Sequence, residues 1–204
     1  PFEMQNSDHV RNIRIMQFNS TDQIFKYFSS LTTNFILDIP VQNLNDILSQ
    51  PENYGARDYA ANMWAGIAIN NTHKLFSHPE ARIALTKLFD RESAINNRFQ
   101  RKASLITGPF TNGSSFYDID VIPYSYDEAE ARKMLEDIGC TWDVDGHVNF
   151  EGEPVTIRFM KNKASTAGNL DVVLSNFRIR MKDMGFDVKE NDISNEKIFI
   201  DKIL

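Results

Sequence analysis

Apolar positions along this chain follow two spacings, and each change of spacing marks an element. In "NIRIMQF", Ile13, Ile15 and Gln17 alternate with Arg14, Met16 and Phe18, the two-residue period of a strand. "STDQIFKYFSSL" carries Ile24, Phe25, Phe28 and Leu31 at helical spacing, with Thr21 or Asp22 available as N-cap. The short apolar run "NFILDIP", closed by Pro40, reads as a buried strand. "VQNLNDILSQ" after it reads as a helix with Leu44, Ile47 and Leu48 on one stripe. A polar loop, "SQPENYGARDYAAN", leads to "MWAGIAIN" (63–70), which reads as a strand. Its Gly66 marks a bend or a close backbone approach.

The next stretch, "FSHPEARIALTKLFDRESAIN", holds two helix starts. Ser77 with Glu80 three residues on makes a capping box, and Pro79 sits in the first turn, where its missing N–H does no harm. Asp90 then caps a second, shorter helix bearing Ala94 and Ile95. "SLITGPFTNGSSFYDIDVIPYS" has the Gly, Pro, Asn and Ser content of an irregular loop. Asp127 with Glu130 makes another capping box. It opens a helix with Ala131, Met134, Leu135 and Ile138 on one face, ended by Gly139 as a left-handed C′ residue. "PVTIRFM" alternates Val155, Ile157 and Phe159 with Thr156, Arg158 and Met160. The following helix sets Leu170, Val173, Leu174, Phe177, Met181 and Met184 on one stripe and stops at Gly185; "FDVKE" is a strand. Strand, long helix and strand make a βαβ unit, so the two strands are expected to be parallel with a right-handed crossover.

Composition narrows the class. With 42% hydrophobic and 25% charged residues in 204, the chain has the make-up of an ordinary globular protein with one core, or one and a half domains. A net charge of −6 with scattered Lys and Arg disfavours nucleic acid as a partner, because phosphate neutralisation needs a concentrated basic surface. The single cysteine, Cys140, excludes an internal disulfide and a multi-thiolate metal site. No apolar run is long enough to span a bilayer as a helix. The chain opens at Pro1 without a charged n-region or apolar h-region, so the expectation is that a targeting signal is absent or has been removed.

"IAINNTHKLFSHPEARIALTKLFDRESAIN" resembles the diagnostic region of the family 5 extracellular solute-binding proteins, the peptide- and nickel-type receptors of ABC importers. There a strand ending in Asn leads to a Pro- and Asp-containing turn, a Val-Arg-x-Ala-Leu helix and an Asp-Arg restart. Here the strand ends at Asn70, the helix carries Arg82, Ala84 and Leu85, and Asp90-Arg91 restarts the chain. The similarity continues in order through Gly108 to Phe110, "YSYDEAEARKMLEDIGC" and "PVTIRFM" with its long helix. Upstream, "IRIMQFNSTDQIFKYFSSLTTNFILDIPV" is similar to the elements that precede that region. Ala81 for Val, Leu75-Phe76 for Pro-Phe, Glu128 for Pro and Thr32-Thr33-Asn34 for Gly-Glu depart from the pattern. None of them breaks a stripe or a cap.

The resemblance implies an α/β, periplasmic-binding-protein-like (type II, cluster C) fragment: a mixed sheet with flanking helices and a βαβ unit in the second lobe. Residues 1–70 would be the late part of the first lobe plus the hinge strand, and 71–204 the front half of the second. Family receptors are more than twice as long, so the chain is expected to be an internal piece. The implied function is capture of a small solute, an oligopeptide first of all, between two lobes that close by hinge bending. Delivery would be to ABC permease subunits, by a periplasmic or extracellular monomer with a possible lipid anchor outside this stretch. No enzyme activity, cofactor or nucleic acid is implied. By position the ligand-binding candidates are Trp64, Gly66, Ile69 and Asn70 in the hinge strand, Asn112 after the GPF loop, and Ile200 in the final helix. Each has a plainer alternative: Trp64 as core, Asn70 as a turn bond. A ligand-sensing domain of a transcription regulator on the same fold is the alternative function.

Sites for chemistry are sparse. His73 and His78 are five apart and fall on different faces of any helix, so no metal site is expected. "DVDGHVNFEGE" lacks the fifth-position oxygen ligand of a calcium loop and reads as a hairpin-like turn. "KNKASTAGN" lacks the phosphate-loop pattern. Cys140, next to a C-capping glycine, reads as core, Arg82 as half of a surface or interlobe ion pair, and Asp90 as a helix cap.

Overall fold

The computed structural model describes residues 12–18, 20–30, 33–37, 39, 41–57, 63–162, 169–195 and 197–198. The chain divides into two compact units, Pro1–Tyr59 and Ala60–Leu204.

In the first unit, helix α1 spans Thr21–Ser29 and α2 spans Val41–Leu48. The cap of α1 falls one residue earlier than expected. Ser20 holds the extended backbone of an N-cap, and its hydroxyl accepts from the Gln23 amide at 3.3 Å. On α2, Leu44 and Ile47 are buried, whereas Leu48 is turned outward. Tyr54 packs its ring 5.1 Å from that of Phe28 and donates its hydroxyl to the Ser29 carbonyl. Neither expected strand forms here: among the described residues, 12–18 and 33–37 make no ladder. Ile13 and Ile15 are 80% and 90% exposed. Alternation supplies a face to bury, but a strand also needs a neighbour to pair its backbone, and the described residues offer none.

In the second unit, 63–70 likewise makes no strand pairing among the described residues, contrary to its reading as a strand. A 3-10 turn, Leu75–Ser77, then feeds directly into α3 (Pro79–Lys87). That early coiling undoes the Ser77–Glu80 capping box. Ser77 Oγ donates backward to the Lys74 carbonyl at 2.7 Å, and His78 takes the cap position without a side-chain bond. Arg82 reaches back to the carbonyls of Phe76 (2.7 Å) and Ser77 (3.2 Å), satisfying the C-terminus of the turn. The side chain expected in an ion pair therefore serves as a backbone cap. Asp90 behaves as anticipated: it accepts from the Ser93 amide at 3.0 Å and starts α4 (Arg91–Asn97).

Helix α5 (Glu128–Asp137) is capped by Asp127, which accepts from the Glu130 amide at 2.8 Å. It lies against α3 through Ala81, Ala84, Leu85, Ala131 and Leu135, whose small members allow close approach. Gly139 (φ +97°) ends it, with the Cys140 amide bonded to the Leu135 carbonyl. The expected turn is a three-stranded antiparallel meander: β1 Thr141–Trp142, β2 Val148–Phe150 and β3 Glu153–Pro154. Val148 and Phe150 face the core.

The βαβ unit forms as the periodicity requires. β4 (Thr156–Asn162) and β5 (Asp187–Ile193) are parallel, in register from Thr156 opposite Asp187 to Asn162 opposite Ile193. α6 (Asn169–Asp183) connects them and buries Val173, Leu174, Phe177 and Met181. Phe177 stacks on Phe89 at 4.8 Å and meets Phe159 edge-on at 6.4 Å, which ties the α6 face to both α3's end and β4.

Candidate functional site

Four of the residues singled out lie in 63–70, and their environments differ. Ile69 packs against the core of the second unit. Asn70 is exposed, and its Oδ1 accepts from both the amide (2.9 Å) and the hydroxyl (2.8 Å) of Thr72 while its carbonyl accepts from the His73 amide. The plainer reading of Asn70, a turn residue, describes what this side chain does here. Trp64 is 55% exposed, so it is not core. The Cζ3 edge of its six-membered ring points at Gly66: a Cβ at position 66 would stand 2.7 Å from Cζ3 and 3.3 Å from Cε3 of the indole. The close approach expected at Gly66 is thus made by a side chain two residues away.

Asn112 is exposed in the long connection between α4 and α5, beside a turn closed by the Ser114 amide on the Thr111 carbonyl. Phe110 and Phe116 flank that turn with ring centroids 5.6 Å apart, both open to solvent. The far end of the connection is fixed from α3 and α4: Arg91 donates to the Tyr124 carbonyl at 2.7 Å, and the Lys87 ammonium lies 5.9 Å from the Tyr124 ring centre. Ile200 lies outside the described residues. The structure thus brings Trp64 and Gly66 together, commits Ile69 to packing, and leaves Asn112 on an exposed turn.

Two arrangements escaped the linear reading. A cavity of about 450 Å3 opens between α4 and α6, floored by Phe89 and Phe177 and rimmed by Asn97, Arg98, Asn176 and Arg180. Its halves are some eighty residues apart in sequence, beyond the reach of a local pattern. In the β1–β2 turn, Asp143, Asp145 and His147 bring one ligand atom each within 4.8 Å of one another, all exposed. The Asp143 carboxylate accepts from the amides of Asp145 and His147, and the His147 bond first of all holds its pKa below the usual carboxylate value. The alternate-residue spacing Asp-x-Asp-x-His was the available signal.

Three groups near these elements have shifted proton affinities. Burial pushes the Cys140 thiol up to about 11, away from the thiolate that nucleophilic attack requires. Tyr126 is raised to about 12, by desolvation first and by its hydrogen bond to Glu128 second. Arg91 is lowered by burial, and its guanidinium is spent on the Tyr124 carbonyl. Exposed groups of the candidate stretches include the Trp64 indole and the Asn70 and Asn112 amides.

Comparison with known proteins gives the family and the fold. The family model described as "Bacterial extracellular solute-binding proteins, family 5 Middle" matches residues 5–202. A probable di/tripeptide-binding protein 5 from Pseudomonas aeruginosa (strain UCBPP-PA14) is 35% identical over 73 residues, which are 36% of this chain and 14% of that one. The oligopeptide-binding protein AppA from Bacillus subtilis, in complex with a nonapeptide, superposes with a TM-score of 0.67 at 20% identity. That match covers 90% of this chain and 36% of AppA. NikZ from Campylobacter jejuni, in complex with Ni(L-His), superposes with a TM-score of 0.61 at 18% identity, over 84% of this chain and 34% of NikZ. At these identities the superpositions speak for the fold, which is that of the periplasmic binding proteins. The chain spans about a third of the length of these solved structures.

Proposed function

Because the chain belongs to the family 5 bacterial extracellular solute-binding proteins, we propose that it is part of a two-lobed receptor that captures an oligopeptide for an ABC permease. Residues 1–70 supply the late first lobe and the hinge segment, and 71–204 the front half of the second lobe. The receptor works outside the cytoplasmic membrane as a monomer, with or without a lipid anchor. The observation that carries this reading is the family match along nearly the whole chain. The di/tripeptide- and oligopeptide-binding relatives direct the choice of solute toward peptides.

In this reading the solute sits between lobes and is held by non-covalent contacts, with closure by hinge bending. Trp64, Gly66, Ile69 and Asn70 line or shape the cleft at the hinge, Asn112 does so from the second lobe, and Ile200 is the sixth candidate by its place in the sequence. Trp64 and Asn112 offer exposed contact groups. Ile69 and Asn70 hold the backbone between them and the core.

Calorimetric titration of the intact receptor with Ala-Ala-Ala, Ala-Phe-Ala and nickel–histidine tests the assignment. Saturable peptide binding in the micromolar range or tighter is expected. Binding of nickel–histidine with no response to either peptide would replace oligopeptide by metal chelate. Silence toward all three would remove the receptor reading.

A further inference from the structure

We infer that Asn112 is a site of spontaneous covalent modification: its carboxamide nitrogen is lost as ammonia, and the turn 111–114 is left with an aspartyl or isoaspartyl residue. The chemistry stands whatever the receptor binds. Under the receptor reading above, it also sets a carboxylate where a neutral amide is expected to meet the solute.

The Ser114 amide donates to the Thr111 carbonyl at 2.8 Å, so Asn112 and Gly113 hold the two central positions of the turn, both exposed. That closing bond uses neither central amide. Among the described residues, the Gly113 N–H and the Asn112 carboxamide have no hydrogen-bond partner. A Cβ added at Gly113 would meet nothing within 4 Å, so the nitrogen is not walled in by neighbours either. Asn-Gly occurs once in the sequence. Glycine after asparagine puts no side chain in the way of ring closure and turns most freely about its own backbone.

Hydroxide takes the proton of the Gly113 amide, and that nitrogen attacks Cγ of Asn112. An N–C bond forms, the Cγ–Nδ2 bond breaks, and the leaving nitrogen takes a proton from water and departs as ammonia. Water then opens the resulting succinimide. Addition at Cγ gives aspartate with the ordinary main chain. Addition at the main-chain carbonyl carbon gives isoaspartate, which lengthens the main chain inside the turn. No electrons change hands, and water is the sole co-reactant.

Two other places show what protection looks like. Asp145-Gly146 could close the same ring, but the Gly146 amide donates to the Asp143 carbonyl at 3.1 Å. The Gly146 carbonyl oxygen is packed 2.1 Å from the point where a Cβ on Gly185 would stand. At Asn70 the carboxamide oxygen is held by the amide and hydroxyl of Thr72. Asn112 has neither restraint. Exposed turns of this kind open locally at a cost near zero, so folding gives this residue little shelter.

The test incubates the intact receptor in warm, mildly alkaline buffer, folded and in urea, and then cuts it with trypsin. The peptide 103–132 holds Asn112 as its only asparagine, so the mass gain of an amide-to-acid exchange reports that residue alone. Isoaspartyl methyltransferase separates the two products. In the folded protein this peptide is expected to convert before any other that bears asparagine, and within about threefold of its rate in urea. Gly113→Ala should slow the conversion severalfold. The peptide 134–158, which carries Asp145-Gly146, should gain isoaspartate in urea but not in the folded protein. A folded-state rate more than about tenfold below that in urea overturns the inference, as does a rate unmoved by Gly113→Ala. Peptide capture is read separately, by the titrations above, so the two readings fail independently.

Discussion

Lys87 and Glu130 meet at 2.6 Å across the joint between α3 and α5, and their burial is unequal: the lysine side chain is 9% exposed, the glutamate 51%. The Lys87 carbonyl accepts from the Asp127 amide in the same joint, so one residue ends α3 and helps start α5. The reciprocal bond of the capping box, from Glu130 back to Asp127, is replaced by these two contacts. Because the ammonium is the buried partner, the two truncations should not cost the same. Glu130→Ala leaves a buried cation short of its anion and should destabilise by roughly 1–3 kcal/mol. Lys87→Met keeps the stem and strands only a half-exposed carboxylate, for less than about 1 kcal/mol. Urea unfolding midpoints of the two variants check this; equal losses would contradict it.

Two glycines, both with positive φ, separate conformational from steric need. Gly139 (φ +97°) has open space where a Cβ would go, so Gly139→Ala should cost about 1–2 kcal/mol for the left-handed backbone alone. Gly185 (φ +106°) would place a Cβ 2.1 Å from the Gly146 carbonyl oxygen and 3.2 Å from Trp142 Nε1. Gly185→Ala should therefore lose more than about 3 kcal/mol, or fail to fold. Thermal melts that rank the two the other way would refute the packing of the β1–β2 turn on the end of α6.

Gln100 (φ +47°) and Arg101 (φ +62°) are consecutive non-glycine residues in the left-handed region, just past α4. Each carries a steric cost that glycine does not pay. Arg101→Gly should stabilise the second unit by about 0.5–1 kcal/mol, after allowance for the added freedom of the unfolded chain. A lowered melting temperature would count against this backbone.

Cys140 gives the alkaline limit a specific cause. Its thiol is raised from 9.0 to about 11 by burial, so the folded state keeps the proton that the unfolded state releases. The resulting stability is fully present below pH 9 and is lost as pH rises through 11. Comparison of wild type with Cys140→Ala across that window should show a steeper decline in wild type, amounting to roughly 1–3 kcal/mol. Parallel curves would mean that the thiol does not titrate with unfolding.

What could be read from residue order was local. The α5 cap, the Gly139 and Gly185 stops and the β4–α6–β5 unit depend on neighbours a few residues away, or on a stripe long enough to be unambiguous. Ser77 misled because a 3-10 turn ahead of Pro79 redirected its hydroxyl, and nothing in Ser-x-x-Glu reports what precedes it. Ile13 and Ile15 misled because alternation records a face to be buried without saying where the pairing strand is, and the apolar run 63–70 says no more about its partner. At the candidate site, Gly66 marked a close approach, but the atoms that fill it belong to Trp64, and glycine alone does not name its visitor. The cavity between α4 and α6 depends on tertiary placement that no periodicity encodes.

The parallel pairing of β4 with β5 also sets a schedule for the newborn chain. Thr156 meets Asp187 across 31 residues, so at about 5–20 residues per second β4 waits several seconds for its partner to be made. Through that interval a strand with an apolar face and open hydrogen-bonding groups is available to other chains. As long as β5 is withheld, β4 has no partner to lock it, and the order of synthesis leaves that edge open.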